Sequence, residues 1–296
     1  VRHLLSGNAD VVASTHAVGS ADAAGSTDLA NTVDLADGTG VVDDACVASG
    51  TGVAASAGAG TADAVDLDVC YRLPPLAAGQ VHVRSNFVSS IDGATEVDGR
   101  SGALGGSADR RVFRLLRWLA DVVLVGAGTA VAEDYGPVVV PPDRRERRVA
   151  AGQDAVPPIA VVSAALRLDP SARLFAAPVR PLVLTCEAAP PARRKALAEV
   201  ADVLICGERT VDPAVALRAL GERGLGRVLC EGGPALHSDL ADAGLLDELC
   251  LTFAPLLAGP DHLRMVRGRR WQAPLTMTLG HVLEEDGNLF LRYLRR

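Results

Sequence analysis

Arg227-Val-Leu-Cys-Glu-Gly-Gly-Pro-Ala-Leu-His-Ser-Asp-Leu-Ala-Asp-Ala-Gly-Leu-Leu-Asp-Glu-Leu249 decides the fold. Val228 to Cys230 reads as the end of a buried strand. Gly232 and Gly233 let the backbone turn where a side chain would collide. Pro234 suits a first helical position, where its missing N–H costs nothing. Leu236, Leu240 and Ala243 recur at helical spacing, and Gly244 supplies the stop. A strand, a glycine turn and a helix N-terminus aim several N–H groups at one point, which suits a phosphate. Glu231 stands at the strand's C-terminal end, where open α/β sheets bind ligands. The plain alternative is a strand-to-helix turn with a solvated Glu.

Upstream, a second strand, Asp121 to Val125, runs into Gly126-Ala-Gly-Thr-Ala130. The third glycine of the dinucleotide fingerprint is missing, but Thr129 can bond a phosphate. Before it, Val81 to Ile91 alternates as a strand, with Val81, Val83, Phe87 and Ile91 on one face and His82, Arg84 and Asn86 opposite. It ends at Asp92-Gly93, which marks a turn. Asp98 to Gly106 is a glycine-rich loop of the kind that covers a ligand. Ser107 reads as the N-cap of a helix to about Ala120, with Val112, Phe113, Leu116 and Leu119 as its core face. Arg110, Arg114 and Arg117 form a stripe that is either solvated surface or, at Arg117, a grip on an anionic group. Val138 to Asp154, rich in Pro and Arg, reads as a surface loop.

Downstream the alternation is regular. Strands at 159–162, 182–185, 203–206 and 249–253 interleave with helices at 191–200 and 213–222. A hairpin about Asp286-Gly287 closes the chain. The class expected is α/β, a mostly parallel helix-covered sheet with a C-terminal antiparallel hairpin.

Residues 6–66 contain no Lys, Arg, Phe, Trp or Tyr. Such a segment buries too little apolar surface to offset its ordering entropy. The expected organisation is therefore a low-complexity, disordered segment over 1–70 and a folded domain over 71–296. The net charge of −7 is uneven, with residues 1–79 carrying −8 and the rest +1. A near-neutral folded part gives no electrostatic footprint for nucleic acid. No apolar run is long enough to cross a membrane as a helix, and the sequence begins without a secretory signal pattern. The six cysteines show no C-x-x-C spacing, so no metal site is expected. Buried free thiols fit a reducing cytoplasm.

Taken together, Asn86-Phe-Val-Ser-Ser-Ile-Asp-Gly93, Gly99-Arg-Ser-Gly102, Ala120-Asp-Val-Val-Leu-Val-Gly-Ala-Gly-Thr129, Leu229-Cys-Glu-Gly-Gly-Pro-Ala-Leu236 and Leu246-Asp-Glu-Leu-Cys-Leu-Thr-Phe-Ala-Pro255 resemble the pyrimidine reductases of riboflavin biosynthesis, stand-alone actinobacterial members in particular. The resemblance spans about residues 80–296. It implies a dihydrofolate-reductase-like three-layer fold, a homodimer, NADPH as cofactor and a small-molecule substrate. The reaction implied is hydride transfer to the ribosyl C1′ of a ribosylaminopyrimidine phosphate. Matching positions imply that Val125, Gly126, Gly128, Thr129, Ser163, Gly232, Gly233, Pro234, Ala235 and Leu236 bind cofactor. They imply Asn86, Ser101 and Arg117 at the substrate, and Asp92 and Glu231 as catalytic. Hydride transfer asks for positioning and one proton, which suits a chain without a Cys–His pair, metal cluster or serine elbow.

Three departures stand out. Nothing matches the zinc deaminase motifs of the fused forms. Ala94 stands where a Lys is common. Glu133-Asp-Tyr-Gly-Pro137 stands where the family places a phosphate-binding arginine. The missing clamp keeps open a pterin or dihydrofolate acceptor on the same cofactor site. A nucleotide-binding protein without turnover is a third reading.

Overall fold

Residue alternation along the central strands decides which helices cover which face. The computed structural model describes residues 2–6, 65–73 and 75–296. Its strands are β1 (Arg2–Ser6), β2 (His82–Ser90), β3 (Val122–Gly126), β4 (Ile159–Val162), β5 (Leu182–Thr185), β6 (Asp202–Ile205), β7 (Arg227–Cys230), β8 (Glu248–Ala254), β9 (Met277–Glu285) and β10 (Asn288–Arg295). Its helices are α1 (Leu67–Cys70), α2 (Ser107–Leu119), α3 (Ala127–Ala132), α4 (Pro142–Ala150), α5 (Pro191–Ala198), α6 (Pro213–Gly221) and α7 (Pro234–Asp242).

The strands form one sheet in the order β1-β9-β10-β8-β2-β7-β3-β4-β5-β6. From β8 to β6 all neighbours are parallel. At the other side β8, β10, β9 and β1 pair antiparallel. Asp286 (φ 53°) and Gly287 (φ 77°) make the β9–β10 turn in the left-handed conformation a tight hairpin requires. The expected α/β class, mostly parallel with an antiparallel C-terminal hairpin, is the one present.

Val123, Val125, Ile159 and Val161 pack one face of the sheet against Ala108, Val112, Leu115 and Leu116 of α2. Val122, Leu124, Ala160 and Leu184 pack the other against Leu217 and Leu220 of α6 and Leu240 of α7. The parallel strands are thus covered on both sides, which is why they read as continuous apolar runs. Within α2 the expected core face is corrected: Phe113 and Leu119 are half-buried and Leu115 is buried. Ser107 is the first helical residue, and Gly106 occupies the cap.

A short helix, α1, immediately precedes Tyr71. Glu248, the fully buried first residue of β8, accepts from Arg84 Nε at 2.6 Å and from Arg292 Nε and Nη2 at 2.8 and 2.9 Å. Burial opposes its charge, but the two guanidiniums and His82 outweigh that and hold the carboxyl well below its usual range. The same arginines reach the chain before β2. Arg84 Nη2 donates to Tyr71 O at 2.7 Å, and Arg292 Nη1 donates to Cys70 O at 2.8 Å. Tyr71 is itself 1% exposed. The ion cluster therefore fastens α1 to the N-terminal ends of β2 and β8. β1 pairs with β9 and belongs to the same compact unit as residues 63–296. Most of the low-complexity segment lies outside the described residues.

The 138–154 loop is also corrected, since it holds α4. Pro142 starts this helix, and Arg and Glu propagate it well. Arg148, 3% exposed, donates to Trp118 O and Ala120 O at 2.6 and 2.7 Å, satisfying carbonyls at the end of α2.

Candidate active site

β3 and β7 are parallel neighbours, so their glycine turns open side by side at the C-terminal edge of the sheet. The Gly126 N–H donates to Gly232 O at 2.7 Å and joins the turns. Gly232 has φ +82°, and a Cβ there would lie 3.0 Å from the Phe87 ring. The Gly232–Gly233 peptide is cis. A Cβ on Gly233 would meet Thr129 Oγ1 at 2.4 Å. A side chain at Gly232 or Gly233 would therefore press on Phe87 or Thr129. Gly233 caps α7 with Pro234 at the first helical position, leaving the N–H groups of Gly233, Ala235 and Leu236 without intrahelical partners.

Beside this junction lies a cavity of about 510 Å³. β2 contributes Asn86 and Val88, and α2 contributes Asp109, Phe113 and Arg117. Gly128, Thr129, Glu133, Tyr135, Glu231, Gly233 and Pro234 complete the side towards the turns, and Ser101 and Gly102 close it from the glycine-rich loop.

Glu231 anchors the cavity wall. Arg117 Nε and Nη2 donate to its two carboxylate oxygens, each at 2.7 Å, and Tyr135 Oη donates to Oε2 at 2.7 Å. The Glu231 side chain is 3% exposed. The Arg117 guanidinium also lies over Phe113, 4.3 Å from the ring centroid, a cation–π contact. Burial opposes the Arg117 charge, but Glu231 more than compensates and raises its pKa. Burial, then Glu231, pushes the Tyr135 phenol well above its usual value, so it stays a donor.

Asn86, Ser101, Arg117 and Glu231 do meet in this cavity, with Gly128, Thr129, Gly233 and Pro234. The role of Arg117 changes, since its fork is committed to Glu231. Ser101 is committed too, its N–H and hydroxyl donating to Glu133 Oε1 at 2.8 and 2.9 Å. The Asn86 amide has no protein partner among the described residues. Val125 is buried beneath the turn. Ser163 closes β4, and its hydroxyl accepts from the Leu166 N–H at 3.0 Å outside the cavity. Asp92 also lies outside it. Its exposed carboxylate accepts from Ser90 Oγ and from the N–H groups of Ala258 (3.1 Å) and Gly259 (2.8 Å). These bonds hold its pKa at about 2. Asp92 is thus a loop clasp, and an ionised one.

Sequence reasoning missed Tyr135, Glu133 and the cavity face of Phe113. Tyr135 stands in the Glu133-Asp-Tyr-Gly-Pro137 run, and only its reach to Glu231 across the fold reveals it.

Beneath the turn, His237 of α7 is 3% exposed, with Nδ1 2.9 Å from Ser85 Oγ and its ring edge-on to Phe87. Burial lowers its pKa to about 4. The neutral ring is thus favoured by folding. That stabilisation is complete above the unfolded value of about 6.5 and is lost as pH falls towards about 4, roughly 3 kcal/mol in all. Thermal melts should show Tm falling across this window. In His237→Gln the fall should be shallower; an unchanged slope would place the effect elsewhere.

The chain matches the model of the RibD C-terminal domain over residues 81–289. It is 30% identical to a 2,5-diamino-6-ribosylamino-4(3H)-pyrimidinone 5′-phosphate reductase of Archaeoglobus fulgidus, across 60% of this chain and 82% of that protein. It is also 30% identical to the riboflavin biosynthesis protein RibD of Mycobacterium tuberculosis, across 61% of this chain and 44% of that one. Among solved structures, a pyrimidine reductase-like protein of Corynebacterium diphtheriae superposes with a TM-score of 0.69 and 28% identity, covering 78% of this chain and 98% of that one. The riboflavin biosynthesis reductase Rib7 of Saccharomyces shares the fold, with a TM-score of 0.56 and 16% identity over 75% of this chain and 93% of that one.

Proposed function

The chain belongs to the RibD C-terminal domain family, and from that membership we propose that it reduces the ribosyl group of a ribosylaminopyrimidine phosphate to ribityl, with NADPH as donor. It is an oxidoreductase of the riboflavin-biosynthesis type, acting on a small molecule with a nicotinamide cofactor. The observation that carries the reading is the junction of Gly126, Gly232 and Gly233 beside the cavity, where the backbone is bare and a Cβ on Gly233 would press on Thr129.

The fit to a dinucleotide follows from the donors. The N–H groups of Gly233, Ala235 and Leu236 meet a phosphate at the start of α7. Gly128 and Thr129 line the path from that phosphate into the cavity. The cofactor, when bound, supplies a hydride; the protein supplies position and a proton. Glu231 is held rigid by Arg117 and Tyr135 and offers its remaining lone pairs to acceptor N–H or O–H groups. Asn86 presents both a donor and an acceptor.

A second reading keeps the cofactor and changes the acceptor to a pterin or dihydrofolate. The charge of the cavity favours it. Glu96, Asp109, Glu133, Asp134 and Glu231 line the cavity against only Arg110 and Arg117, and Arg117 is already paired. A phosphate monoester would have Arg110 at the rim as its cation.

The test follows nicotinamide oxidation with NADPH and NADH against both acceptors. Turnover of the ribosylaminopyrimidine phosphate is expected, with NADPH preferred. Turnover of dihydrofolate alone would hand the acceptor half to the second reading. Cofactor binding with neither acceptor consumed would leave a nucleotide-binding protein.

The homodimer and the cytoplasmic location complete the proposal. The second is supported by the free state of Cys70, Cys186, Cys206, Cys230 and Cys250, the first by the family resemblance. Light scattering on the purified protein checks the dimer.

A further inference from the structure

Reduction at C1′ needs a proton as well as a hydride, and the cavity offers several acids to supply it. Most are engaged. Glu231 is taken by Arg117 and Tyr135, Glu133 by Ser101, and Asp134 Oδ2 by Arg173 at 2.7 Å. Asp92, the acid suggested by the resemblance, faces a different loop.

Asp109 differs from these. It sits in the first turn of α2 and lines the cavity together with Asn86, Val88 and Phe113. Its carboxyl is packed under the loop. A Cβ on Gly105 would lie 2.2 Å from Oδ2, so the glycine makes room for the acid. The Thr252 hydroxyl of β8, on a residue 2% exposed, hydrogen-bonds it. No ion pair holds the carboxyl among the described residues.

We propose that Asp109 is the catalytic acid, delivering the proton to the acceptor atom that leaves C1′. The inference rests on the reductase reading above. The hydride pair forms the new C1′–H bond. The C1′–O4′ bond breaks, its electron pair stays on O4′, and O4′ takes the proton of the Asp109 carboxyl. Asp109 is left as a carboxylate and is reprotonated from solvent. If the acceptor is a ring imine, the same carboxyl protonates the nitrogen.

The surroundings support a stored proton. Burial pushes the Asp109 carboxyl up, while Thr252 and Arg110 pull it down by less. The charged and titratable groups sharing the cavity are Arg110 on the same helix, Glu96 of the preceding loop, Glu133, Asp134 and Tyr135 around the end of α3, and the Arg117–Glu231 pair.

The experiment is the pH dependence of single-turnover nicotinamide oxidation by the full chain, for wild type, Asp109→Asn, Thr252→Val and Glu96→Gln. The wild-type rate should fall as pH rises through the Asp109 pKa. Asp109→Asn should slow the step by about 100-fold or more and lose that limb, with NADPH affinity within a factor of about two of wild type. Thr252→Val should move the limb to higher pH, because the hydroxyl that favours the carboxylate is gone. Glu96→Gln, the same charge change on the same cavity, should keep the limb. A limb that survives Asp109→Asn, or one that vanishes with Glu96→Gln, overturns the proposal. Infrared difference spectra between wild type and Asp109→Asn give a readout free of turnover. A protonated carboxyl band that persists to higher pH than an ordinary aspartate's and is missing from Asp109→Asn is expected, and its absence refutes the stored proton. A wild type inert to both acceptors while that band is present would instead fault the reductase reading.

Discussion

Gly233→Asp should abolish NADPH binding while the fold survives. The added Cβ arrives 2.4 Å from Thr129 Oγ1, so Thr129 has to move out of the cofactor path. The carboxylate matters more. Position 233 is the N-cap of α7 with an extended backbone, and Asp is among the best N-cap residues. Its oxygens would accept the N–H groups that a phosphate needs and would repel the phosphate that remained. The helix is satisfied and the cofactor is excluded, so stability and binding separate. The dissociation constant should rise at least ~100-fold by calorimetry or nicotinamide fluorescence, with a melting curve close to wild type. Gly233→Ala adds the Cβ without the charge and should fall between the two. Wild-type affinity in Gly233→Asp would remove the phosphate from this turn.

Arg117→Ala should lower stability more sharply than its place in a substrate cavity suggests. A grip on an anionic group, as one reading of the sequence had it, would raise the substrate KM and leave the apoprotein intact. The pairing with Glu231 says otherwise. Removing the guanidinium leaves a carboxylate that is 3% exposed with only Tyr135 as donor. Breaking a buried pair by deleting one partner costs about 3–5 kcal/mol, which for a domain this size lowers Tm by about 10 °C. Arg117→Ala/Glu231→Gln should recover part of that loss, since no charge is then stranded. Turnover should not recover, because the rigid carboxylate is gone. A single variant that melts like wild type and shows only a raised KM would restore the substrate role.

Much of this architecture is legible in the sequence. The parallel strands are covered on both faces, so Val122–Gly126, Ile159–Val162 and Leu182–Thr185 announce themselves as short apolar runs. The glycine turns after Val122–Gly126 and Arg227–Cys230 mark the junction, because glycine lets the backbone turn where a side chain would collide. What escaped was set by distant or charged partners. α4 has no apolar period, and its buried Arg148 works through polar bonds. β1 finds its partner strand at the far end of the chain. The bond between Tyr135 and Glu231 spans 96 positions, and nothing local encodes it. Asp92 stands at a strand end, and nothing local shows that the 258–259 loop folds over to claim its carboxylate.

The Glu248–Arg84–Arg292 cluster at the N-terminal ends of β2 and β8 has a consequence for how this protein can change. Cohesion is anchored at one rim of the sheet and the candidate site lies at the other. Variation in acceptor preference can accumulate around Asn86, Asp109 and Tyr135 without touching the clamp that keeps α1 and the strands together. In a library screened in parallel for heat resistance and for new acceptors, the two sets of selected positions should fall on opposite rims. Glu231 and Arg117 would be the shared exceptions, where a gain in one property is paid for in the other.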